Sequence, residues 1–155
     1  MGLILQCRGS CAAGCTKEFM IRGRAVSDYK SQLAAWRRPF LKRLDHPDYD
    51  FITVPRKFDY SLEENKWVGF KAVSFLEKAK NRTRNFVYIS RDPFLGGNRK
   101  PGFELYSQWI DQDGLSTGKY SQAALWGGCR TTLRLDGWKS MDFYAMSVYR
   151  LEDRF

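Results

Sequence analysis

Histidine is nearly missing from this chain. The single one in 155 residues, His46, lies between Asp45 and Pro47 in the stretch DHPDYD. One imidazole excludes two-histidine metal sites and paired-histidine acid–base chemistry of the ribonuclease type. Serine or cysteine hydrolysis with a histidine base would rest wholly on His46, whose place in a turn is that of an exposed residue. Long apolar runs are missing too. No stretch approaches the ~20 residues of a membrane-spanning helix, so no membrane partner is expected. The N-terminal MGLILQCRGSCAAGC has no basic segment ahead of its short apolar patch, which Arg8 interrupts. No signal peptide is read there, and a cytoplasmic protein is the expectation. Gln6 occupies the position where a myristoylation signal needs Ser or Thr. Acidic residues are scarce against basic ones: 17 Asp+Glu face 26 Lys+Arg, for a net charge of +9. That balance says little about fold. It points to an anionic partner; of nucleic acid, an acidic protein and an anionic membrane surface, the first two are the expectation.

What is present is enough for a core. Hydrophobic residues make up 43% and aromatics 15%, so the composition is that of a folded chain. The charge is uneven. Residues 1–100 carry 20 cations and 10 anions, whereas residues 101–155 carry 6 and 7. The basic groups are spaced widely, as on a folded positive face, where a disordered basic tail would be denser. No internal repeat or low-complexity tract is visible, and a single domain over 1–155 is expected.

Leu3–Cys7 and Glu18–Val26 read as strands. Ser27 is a fitting N-cap, and Tyr29, Leu33, Trp36, Phe40 and Leu44 recur at helical spacing. An amphipathic helix is therefore predicted there, kinked at Pro39 or split in two. Its cations Lys30, Arg37 and Arg43 flank the apolar stripe, while Arg38 and Lys42 point away. Phe51–Val54 and Lys57–Leu62 read as strands. Trp67–Leu76 is ambiguous: Ser61 with Glu64 fits a capping box, while Gly69 and the valines favour a strand. The continuation FLEKAKN tips the reading toward helix. Asn85–Ser90 is a strand, followed by a loop of about twelve residues. Phe103–Ile110, Lys119–Trp126, Arg130–Leu135 and Met141–Leu151 read as antiparallel strands. The predicted fold is thus α+β: an N-terminal amphipathic helix packed on a mostly antiparallel sheet, with a β-meander as its C-terminal third.

Few constellations could carry chemistry. Cys7, Cys11 and Cys15 are spaced C-x3-C-x3-C, with Cys129 far downstream; four thiolates would suffice for zinc. The usual knuckle spacing is different and a second pair is absent, so reduced thiols without a cofactor are the main reading. Pro47-Asp48 and Glu64-Asn65-Lys66 match the letters of a PD-(D/E)xK nuclease. There Asp48 and Glu64 would hold Mg²⁺ and Lys66 would orient water or stabilise charge. Glu64 should then end a buried strand, and the sequence around it does not read so. GLSTGKYS has three residues between its glycines where a phosphate loop has four, and Tyr120 follows Lys119 where Ser or Thr is needed.

Basic residues interleaved with aromatics remain. Arg37, Arg38, Lys42 and Arg43 form one group. Arg82, Arg84, Arg91, Arg99 and Lys100 flank a second element, with Phe86, Tyr88 and Phe94 as candidates for base stacking. Trp36 and Phe40 belong to the core by their spacing. In compact size, single basic segment and lack of a catalytic set, the chain resembles small phage or mobile-element accessory proteins. The leading expectation is a non-enzymatic binder of DNA or RNA, acting through backbone electrostatics and stacking. The alternatives are an inhibitor or adaptor docking on an acidic protein, and the Mg²⁺-dependent nuclease.

Overall fold

The chain is described by a computed structural model covering residues 2–8, 14–25, 42–44, 50–51, 56–60, 63, 65–98, 101–114, 130–136 and 138–150. Side chains are described within 56–114 and 140–149, and the other strands by their backbone. The elements are β1 (Gly2–Arg8), β2 (Gly14–Ala25), β3 (Lys42–Leu44), β4 (Asp50–Phe51), β5 (Val68–Glu77), β6 (Arg82–Ser90), β7 (Glu104–Asp111), β8 (Arg130–Asp136) and β9 (Trp138–Arg150). A five-stranded sheet runs in the order β7-β6-β5-β2-β9, and β1 pairs with β8 and β3 with β4. Every one of these ladders is antiparallel.

Residues directly opposite each other in an antiparallel ladder share a face. On β5 this separates Val68, Phe70 and Ala72 from Lys71, Val73 and Phe75. The first group lies opposite Ile89 and Val87 of β6, the second opposite Tyr88, Phe86 and Arg84. The first face holds the core. Val68, Ile89 and Tyr106 are 4%, 0% and 1% exposed, with Phe58, Tyr60, Phe70, Val87 and Met141 packed against them. Each such aliphatic side chain contributes about 1.5–3 kcal/mol by leaving water.

A bulge in β7 completes that core. Val87 pairs with Ser107 and Tyr88 with Leu105, which leaves Tyr106 as the extra residue. In a regular strand Tyr106 and Ser107 would face opposite ways; the bulge lets both be buried. The segment 56–60 lies over them. The Lys57 N–H donates to the Tyr106 carbonyl at 2.9 Å, and the Phe58 ring meets Tyr106 edge-on at 5.3 Å. The second face is covered at the same end by the β6–β7 loop, where Phe103 lies against Gly69. That loop turns at Gly96 and Gly97, whose φ values of 63° and 81° suit glycine.

The architecture corrects the expected α+β fold. Among the described residues strands dominate, no helix reaches seven residues, and no N-terminal helix packs on the sheet. Lys42–Leu44, assigned by periodicity to the end of the amphipathic helix, form β3; 26–41 lie outside the described residues. Trp67–Leu76 is not helical either: β5 is one of the three inner strands of the sheet. FLEKAKN is the end of β5, a 3-10 turn over Lys78–Lys80 and a left-handed Asn81. The C-terminal third is not a meander. β7 and β9 lie at opposite edges of the five-stranded sheet, and β8 belongs to a different ladder. The meander of this chain is β5-β6-β7. Lys57–Tyr60 carries no strand beyond the bridge of Arg56 to Ser107, and Lys119–Trp126 lies outside the described residues. Among the described residues no helix is long and apolar enough to cross a membrane.

Candidate nucleic-acid interface

The β5–β6 hairpin concentrates charge at its closed end. Lys78, Ala79 and Lys80 make a single 3-10 turn, and Asn81, at φ 48° and ψ 48°, donates its N–H to the Lys78 carbonyl at 3.1 Å. Asparagine accepts that left-handed geometry more readily than other residues with a side chain. The turn places Glu77 opposite Arg82, and Phe75 opposite Arg84. The Arg82 Nε–H donates to Glu77 Oε2, and Arg84 Nε lies 2.9 Å from Glu77 Oε1. The hydrogen bond from Arg82 holds the Glu77 carboxyl below the usual carboxylate range, helped by the charges of Arg82, Arg84 and Lys80 and opposed by burial. One carboxylate thus faces two guanidiniums, with exposed Lys78 and Lys80 beside them. On the opposite face the Ser74 hydroxyl donates to Asn85 Oδ1 at 2.9 Å, tying the two strands together.

The basic end runs directly into aromatic rings on the same face. Phe75 and Phe86 are diagonal neighbours, stacked with centroids 5.9 Å apart and planes 18° from parallel. Tyr88 lies opposite Lys71, whose ammonium sits 5.6 Å from the Phe103 ring centre. The ladders continue this face to β9. Phe86 pairs with Val73, Val73 with Thr16 and Thr16 with Tyr149, while Gly69 pairs with Met20 and Met20 with Tyr144. Tyr144 is 48% and Tyr149 54% exposed. Trp67 and Phe94 brace Tyr144 edge-on, at 6.3 Å and 5.1 Å between centroids, and touch each other at 5.3 Å.

Arg91 lies at the other end of β6, about 30 Å along the strand from Arg82. Its guanidinium sits over the Phe58 ring at 4.6 Å and pairs with Glu104 at 3.6 Å. Arg91 also lines an open cleft of about 330 Å³ with Asp59, Tyr60, Glu63 and Lys66. Lys66 pairs with Glu63 at 2.5 Å within a turn closed by Asn65 at φ 59°. Burial, then the nearby Glu63 charge, pushes the Tyr60 hydroxyl up to about 12, against the pull of Arg91.

Of the residues singled out from sequence, the fold brings Arg82, Arg84, Phe86 and Tyr88 together on one face of β6. Phe94 is half-buried as the brace of Tyr144, and Arg91 belongs to the cleft. Lys42 and Arg43 are on β3, away from the five-stranded sheet's ladders; Arg37, Arg38, Arg99 and Lys100 lie outside the described residues. Cys7 is on β1 and Cys15 on β2, in different sheets, and Cys11 and Cys129 lie outside the described residues. Among the described residues no three His, Cys, Asp or Glu side chains form a metal-sized group. Of the nuclease letters, Lys66 precedes β5 as an exposed, ion-paired residue, and Asp48 and Glu64 lie outside the described residues. Sequence reasoning missed Lys71, Tyr144 and Tyr149. Alternation along β9 would have found the tyrosines, but Ala145, at φ 50° in a bulge between the Glu18–Ser147 and Met20–Tyr144 pairs, breaks it. No family model, curated protein or solved structure matches this chain.

Proposed function

We propose that this chain is a non-enzymatic, cytoplasmic binder of nucleic acid that grips the phosphate backbone with the closed end of the β5–β6 hairpin. The observation supporting this reading is the ratio of charges there. Lys78, Lys80, Arg82 and Arg84 stand against one carboxylate, Glu77, beside the rings of Phe75 and Phe86. Phosphates arriving at such an end displace counterions, so binding weakens as salt rises. The test is a fluorescence-anisotropy titration of a labelled oligonucleotide at several salt concentrations. Affinity is expected to fall with a logarithmic slope of about −1.5 to −3.5, for roughly two to four phosphates neutralised. Replacing Lys78 and Lys80 together by Gln is expected to flatten that slope by about 1.4–1.8. No binding at low salt, or a slope unaltered in the double variant, would remove the hairpin end from consideration.

A second reading, an adaptor for an acidic protein, is supported by a different observation. Phe143, Met146 and Val148 of β9 are 37%, 51% and 54% exposed. A stoichiometric protein partner retained after nuclease treatment is the result expected of an adaptor.

A further inference from the structure

We infer, on the nucleic-acid reading above, that the ligand is single-stranded and that its bases stack on Tyr144 and Tyr149 of β9. The argument begins with where the rings lie. Antiparallel register puts Tyr144 and Tyr149 on the same face as Arg84, Phe86, Tyr88 and Lys71. Most rings on that face are partly covered, but these two keep 48% and 54% of their surface open to solvent. An exposed tyrosine normally samples several rotamers, and ordering it on binding costs affinity. Tyr144 has already met that cost, because the rings of Trp67 and Phe94 hold it edge-on. The result is a fixed, half-open aromatic plate on a sheet face that carries Lys71, Arg82 and Arg84 together with Glu18, Glu77 and Asp142.

Such a plate discriminates by strandedness. An unpaired base offers its flat face to a ring, whereas a base inside a duplex has both faces occupied by its neighbours and offers only its edges. Phosphate contacts by Lys78 and Lys80 would serve either form, so strand preference must come from the rings. Tyr144 and Tyr149 are about 13 Å apart along the bulged strand, too far for neighbouring bases of one continuous stack, so each ring would take an unstacked base of its own. Tyr149 is also in line with Phe86, across β2 and β5. Lys71 and Arg84 lie beyond β2 on that face, with Glu18 of β2 opposite Lys71 in the ladder.

The test compares a labelled twelve-nucleotide oligothymidylate with a twelve-base-pair duplex at matched salt. The wild-type chain is expected to bind the single strand at least ten-fold more tightly. The double substitution Tyr144→Ala and Tyr149→Ala should remove that preference, weakening the single strand at least ten-fold and the duplex less than two-fold. The ring-retaining Tyr144→Phe and Tyr149→Phe pair should restore it, and circular dichroism with a thermal melt checks that each variant folds. Equal affinity for the two probes, or an alanine pair that leaves single-strand binding intact, overturns the inference while leaving the hairpin reading in place. Absence of binding to both probes at low salt overturns both. A concentration-dependent dimer abolished by the alanine pair, without oligonucleotide binding, would assign the rings to a protein interface and overturn the inference as well.

Discussion

At Gly69 the sheet leaves only a tight space for a methyl group. A Cβ there would lie 3.0 Å from the Ser90 Cβ and 3.3 Å from Phe103 Cε1. Ser90 has little freedom to give way, since it is 1% exposed and sits opposite Gly69 in the ladder. Gly69→Ala is therefore expected to lower stability by about 1–3 kcal/mol, read as a lower urea midpoint with an unchanged slope. Tyr60 yields a prediction of a different kind. Its hydroxyl is raised to about 12 in the folded chain from an ordinary value of 10.0. A raised folded value means that the native state keeps the proton longer than the unfolded state does. Its contribution to stability is complete below pH 10 and is lost as pH climbs through the folded value. Ultraviolet titration of tyrosinate should lose a late-titrating component in Tyr60→Phe, and that variant should lose less stability between pH 10 and 12.

On the proposed reading, the β5–β6 hairpin couples charge to binding through Glu77. Its carboxyl is held low in the folded chain, so the ion pairs contribute fully above the ordinary carboxylate range and are lost as pH falls through the folded value. Glu77→Gln removes the same negative charge at neutral pH. It should weaken the hairpin while freeing Arg82 and Arg84 for phosphate, so oligonucleotide affinity is expected to rise and its salt slope to steepen. Anisotropy titrations of both proteins at pH 7, paired with thermal melts, check the two opposite signs. This element was also the hardest to read from sequence, for a physical reason. β5 is covered on both faces, by the core at Val68 and by Phe103 at Gly69, so neither phase of its alternation is plainly polar. β6 has the same exposure pattern but richer β-branched and aromatic content, and its strand was legible. The Ser61–Glu64 letters suggested a helix start, yet the chain entering β5 turns at Asn65 in a left-handed conformation.

At the scale of the whole molecule, strand existence was legible but strand order was not. Leu3–Cys7, Glu18–Val26, Phe103–Ile110, Arg130–Leu135 and Met141–Leu151 each correspond to an observed strand within a few residues. Their neighbours follow from side-chain complementarity between distant segments, which no local window contains. The candidate site divides the same way. Arg82, Arg84, Phe86 and Tyr88 share one strand, and period two is enough to align them. Tyr144 and Tyr149 join them only through two intervening ladders and past a bulge. The order β7-β6-β5-β2-β9 also sets the timing of assembly. β2 is flanked by β5 and β9, and the second of these ladders joins Ala25 to Trp138 and Cys15 to Arg150. Closing so remote a contact is entropically slow, and refolding on the scale of about milliseconds to seconds is expected in stopped-flow fluorescence. During synthesis, one whole side of β2 must wait, its amides and carbonyls paired only with water, until β9 has left the ribosome. A nascent chain of this design is most vulnerable to intermolecular strand pairing in that interval, and a helper that shields β2 would raise the yield of native protein.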